Sequence, residues 1–65
     1  MNHYILNLEP YTTEAAEKII QNLRFWCVDF IQRGKAAVYQ ISSIYELTPA
    51  FLSSKGIPEN CITPA

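Results

Sequence analysis

Apolar and polar positions alternate along "HYILNL" (His3 to Leu8). Tyr4, Leu6 and Leu8 share one face and His3, Ile5 and Asn7 the other, which is the two-residue period of a strand. Glu9-Pro10 ends that strand, because proline brings no N–H to a ladder. Thr12 and Thr13 then offer helix N-caps, and Glu14 and Glu17 stand in a first turn, where the helix dipole favours acid. Glu14 and Lys18 are four residues apart in the better orientation for a pair. A helix is expected from about Thr13.

The stretch "LRFWCVDFIQRGK" (Leu23 to Lys35) reads two ways. Continued as a helix, it extends an apolar stripe through Ala15, Ala16, Ile19, Ile20, Leu23, Trp26, Cys27, Phe30 and Ile31, with Glu17, Gln21, Arg24 and Arg33 opposite. Asp29 would pair with Arg33, and Gly34 would close the helix at C′. Only Phe25 and Val28 fall on the polar side. In the rival reading the helix ends near Asn22, Phe25 to Gln32 is a strand, and the chain turns at Arg33-Gly34 to return as "KAAVYQIS". The long helix is preferred, since no Gly or Pro marks a break and only a residue or two would link helix to strand.

Ala36 to Leu47 is also two-sided. Val38, Tyr39 and Ile41 favour strand, and Ser42 and Ser43 are mediocre helix formers, so a strand through about Ser42 is expected. "TPAFLSSKG" reads as a short helix with Thr48 as N-cap, Pro49 at N1, Lys55 in the last turn and Gly56 at C′. Residues 58–65 hold two prolines and are expected as an extended tail, docked as an edge strand or dangling. The expected fold is therefore α+β, one domain over 1–65. It has a main amphipathic helix on a two- or three-stranded sheet, plus a short C-terminal helix.

Composition sharpens this picture. A chain of 65 residues buries only roughly 60% of the surface its unfolded form exposes. At 49% hydrophobic and 17% charged residues it has core material and a sparsely charged surface, which argues against disorder and towards association. Net charge is −1, and of the basic residues Lys18, Arg24, Arg33, Lys35 and Lys55 only two are close in sequence. The clustered cations that drive nucleic-acid affinity are missing, so nucleic acid is not an expected partner. "NHYILNLEP" lacks a leader's basic start and cleavage site, and no run is long enough to span a membrane. A cytoplasmic protein with reduced thiols is expected, Cys27 as a small core residue and Cys61 as an exposed tail thiol.

The residues of chemistry are few. One histidine, His3, and two cysteines far from it in sequence make neither a recognisable nucleophile–base pair nor a four-ligand zinc spacing. Gly34 and Gly56 stand outside any phosphate-cradling motif. A protein that is not an enzyme, without cofactor or metal, is expected.

Two partial likenesses bear on an alternative. "QRGKAAVYQISSIYEL" (Gln32 to Leu47) resembles the strand-turn-strand-helix passage of Phd/YefM-type antitoxins, and "TTEAAEKIIQNL" is dimly similar to their first helix. The resemblance covers about a quarter of the chain well; the family's longer spacer and acidic tail are absent, and gaps are needed around Ala36 and Ser43. It implies a DNA-binding dimer that neutralises a toxin. "ISSIYELTPAFLSSKG" resembles a helix-turn-helix with "TPAFLSSK" as reading helix, though Lys55 stands where an apolar anchor belongs.

Both readings of "FWCVDFI" leave apolar groups on two sides, and buried aromatics dominate binding energy. The expectation is a non-catalytic protein–protein interaction module, a small regulator or inhibitor. It would meet a protein partner or its own copy as a homodimer through Phe25 and Val28, with Tyr39 and Phe51 in support. The competing expectation is that the C-terminal tail folds back over these groups.

Overall fold

A computed structural model describes residues 1–34 and 37–65. Lys35 and Ala36, where the strand reading starts its returning arm, lie outside the described residues. The elements in chain order are β1 (Asn2–Asn7), α1 (Thr13–Leu23), β2 (Cys27–Gln32), β3 (Val38–Ser43), α2 (Pro49–Ser54), a 3₁₀ turn (Glu59–Cys61) and β4 (Ile62–Pro64). The strands form one antiparallel sheet in the order β2-β3-β1-β4. Each helix thus bridges two strands that have a third between them: β1-α1-β2 straddles β3, and β3-α2-β4 straddles β1. This is the split β-α-β design called ferredoxin-like topology.

The α+β class stands, but the sheet has four strands rather than two or three. The tail supplies the fourth: Ile62 pairs with Leu6, Thr63 with Ile5 and Pro64 with Tyr4.

The main helix is also shorter than preferred. It starts as expected, with the Thr12 hydroxyl accepting from the Ala15 N–H at 3.2 Å. It stops at Leu23, whose carbonyl accepts the Trp26 N–H at 2.9 Å and turns the chain out of the helix. The strand reading of Phe25–Gln32 holds from Cys27 onward, because aromatic and β-branched residues there gain a partner in β3. Gly34, with φ +67°, serves the hairpin turn and not a helix end.

The second helix matches its sequence signals. Thr48 caps it by accepting from the Phe51 N–H at 3.1 Å. Gly56, at φ +72°, ends it: the Gly56 N–H donates to Ser53 and the Ile57 N–H to Leu52, a Schellman closure.

One face of the sheet holds the core. Tyr4, Leu6 and Ile41 pack there against Ile19 and Leu23 of α1 and Leu52 of α2, while Ile57, Cys61 and Ile62 close the C-terminal side. Leu6, Leu23 and Ile41 are wholly buried. Alternation along the strands puts His3, Ile5, Asp29, Ile31 and Gln40 on the other face, which neither helix covers. Among the described residues no helix is long and apolar enough to cross a membrane.

Candidate functional site

The two edges of the sheet differ. At one edge, β4 is three residues long and contains Pro64, two devices that blunt an edge. At the other, β2 is six residues long without proline. Its register carries one irregularity: Cys27 pairs with Ser43 and Asp29 with Ser42, so Val28 is an extra, bulged residue.

Three of the six large apolar side chains exposed among the described residues stand on or beside β2, the others being Met1, Ile44 and Tyr45. Phe25, in the turn before it, is 81% exposed; Val28 and Ile31, within it, are 52% and 53% exposed. Phe25 also walls a shallow recess of about 410 Å³ with Gln21 and Arg24 of α1. The C-terminal tail does not cover these groups, since it pairs with β1 at the far edge.

Tyr39 and Phe51, the other two expected contact residues, sit elsewhere and are half-buried. Tyr39 faces the core side of β3, its ring edge-on to Phe30 with centroids 6.4 Å apart. Arg24 lies over that same Phe30 ring, 5.5 Å from its centroid. Phe51 belongs to an aromatic cluster: Trp26 meets it edge-on at 5.3 Å and meets Tyr45 edge-on at 5.6 Å, while Tyr45 stacks on Phe51 at 6.2 Å. Lys55 caps the cluster, its Nζ 4.6 Å from the Trp26 ring centroid and 5.7 Å from that of Phe51. Both rings therefore act from within the fold, and Lys55 and Arg24 spend their charges on rings of their own chain.

Sequence reasoning missed Ile31, placed on a buried helical stripe although it stands on the open sheet face. The alternating reading of β2 contained that signal.

The groups with chemical potential are separated. The Cys27 thiol is pushed up by burial from 9.0 to about 11. Cys61 was expected to be exposed on the tail. It is instead 2% exposed, because the 3₁₀ turn swings it under the sheet, and its Sγ donates to the Pro58 carbonyl at 3.0 Å. Burial raises its thiol too, against a smaller lowering by a backbone hydrogen bond. Both cysteines are free thiols. His3 Nδ1 and Ser42 Oγ are 3.0 Å apart on the open face. A groove of about 510 Å³ beside His3 is lined by Tyr4, Glu46, Leu47 and Thr48 among others, and by neither cysteine. Among the described residues, no group of three His, Cys, Asp or Glu is placed to hold a metal ion.

"ISSIYELTPAFLSSKG" contains one helix, α2; Ile44 to Leu47 form a bend and a loop. No family model matches the chain, and no curated protein and no solved structure matches it.

Proposed function

We propose that this chain is a non-catalytic protein-binding module whose contact surface is the β2 edge. The observation that carries this reading is the concentration of exposed Phe25, Val28 and Ile31 on and beside the longer, proline-free edge of the sheet. An incoming strand takes up the backbone groups of such an edge, and side chains at its margins set specificity. Phe25 and Val28 make the contact. Tyr39 and Phe51 support it from inside, one bracing Phe30 of the edge strand and the other holding Trp26, the neighbour of Phe25.

A photo-crosslinking residue placed at Val28, with Thr63 on the opposite edge as control, tests the reading. Adducts to a protein, whether another chain or a second copy, are expected from position 28 and not from 63. They should disappear when Phe25→Ser is added. Equal labelling at both positions, or none at 28, would overturn the reading.

A further inference from the structure

The edge carries a pattern that selects one occupant. The Arg33 N–H donates to the Val38 carbonyl at 2.9 Å. Antiparallel pairing alternates, so Ile31 and Asp29 also turn their backbone groups towards β3, and Phe30 turns its N–H and C=O to the outside. Asp29, Ile31 and Arg33 follow at two-residue spacing, which sets their side chains on one face, the open one. In order along the strand they read acid, aliphatic, base. That sequence is complementary to its own reverse.

We infer that the occupant of the β2 edge is β2 of a second copy of this chain, paired antiparallel about a two-fold axis through Ile31. This rests on the reading of β2 as the contact surface and names its partner. In this register Ile31 lies against Ile31 of the second copy, and Asp29 lies opposite Arg33 of the second copy. Symmetry makes the charge pair twice. Ile31 is at a position whose backbone bonds go to β3, so across the axis it is a non-hydrogen-bonded site, where Cα atoms approach to about 4.5 Å.

Neighbouring registers are worse. An axis through Phe30 sets Asp29 diagonal to its own copy, and an axis through Asp29 sets the two carboxylates face to face; like charges opposite one another destabilise a pair. An axis through position 32 puts Ile31 against Arg33. The Ile31 register alone among these matches apolar to apolar and acid to base, and it joins two four-stranded sheets into one of eight strands.

A reciprocal charge swap, read by light scattering and sedimentation over a wide concentration range, tests this. Wild type is expected to dimerise. Asp29→Arg alone, or Arg33→Asp alone, sets like charges together twice and should weaken the dimer by about ten-fold. The double variant should recover wild-type affinity to within a few-fold. As a second measurement, Ile31→Cys in a Cys27→Ala background should form a disulfide-linked dimer on oxidation, because Cα atoms at that spacing accept the bond.

A wild type that stays monomeric overturns the inference. So does a dimer that tolerates both single swaps, or one in which residue 31 fails to cross-link. If the chain is monomeric while position 28 still labels another protein, the wider reading stands and only the choice of partner fails. Loss of both removes the edge as a contact surface.

Discussion

The phenolic oxygen of Tyr4 accepts a hydrogen bond from the backbone N–H of Leu47 at 2.9 Å, buried and spanning 43 positions of sequence. It ties the centre of β1 to the loop that leads into α2. A phenol does this where phenylalanine would fill the same space.

Tyr4→Phe should therefore destabilise the fold by about 1–3 kcal/mol, the cost of a buried N–H left without an acceptor. Urea unfolding followed by circular dichroism measures this. A change under half a kcal/mol (about the scatter of surface substitutions) would show that the Leu47 N–H finds water.

Ser43 has a comparable duty. It is wholly buried, its hydroxyl donates to the Trp26 carbonyl at 2.8 Å, and it accepts from the Tyr45 N–H at 3.0 Å. These two bonds fasten the turn after α1 to the end of β3. Ser43→Ala strands both groups and should cost about 2 kcal/mol. Tryptophan emission should report it as well, since Trp26 and Tyr45 are in ring contact.

Gly56→Ala separates backbone strain from packing. A Cβ at this position meets nothing within 4 Å, so the cost comes only from φ +72°. A loss of about 1 kcal/mol is expected, measurable as a lowered Tm. Steric clash predicts more and is excluded by the open space.

The Cys27 thiol gives a pH signature. Burial raises its folded pKa to about 11 from 9.0. The unfolded chain therefore releases this proton first as pH rises, and the stability contributed by the protonated thiol is fully present below pH 9.0 and lost towards about 11. Cys27→Ala should flatten the fall in stability across that window while leaving the curve at neutral pH parallel. Unfolding midpoints of the two proteins at matched pH provide the comparison.

Where the chain used a single local rule, its structure was legible in the sequence. β1 shows clean alternation, and both helices start at the threonine and, for α2, stop at the glycine that the capping rules name. The β2 segment hid because of Val28. The bulge puts Cys27 and Phe30, three positions apart, on the same face of the sheet. Three-residue spacing is what a helix shows, so the strand imitates a helical stripe. For β4 the choice between docking as an edge strand and dangling stayed open in the sequence: three residues ending in proline carry no period, and their place depends on β1, far away in sequence. Phe25 and Val28 stood out in the sequence because the helical period put them on its polar side. Ile31 did not, because the helical reading gave it a place inside.

The strand order has a consequence for synthesis. β1 is made first, yet both its neighbours are made late: β3 begins at Val38 and β4 at Ile62. Leu6 and its flanking backbone gain their first ladder only once β3 has followed, and their second only with β4. Closing such distant pairs is slow compared with forming local ones. Among the strands, the one made earliest is thus the one whose pairing is completed last.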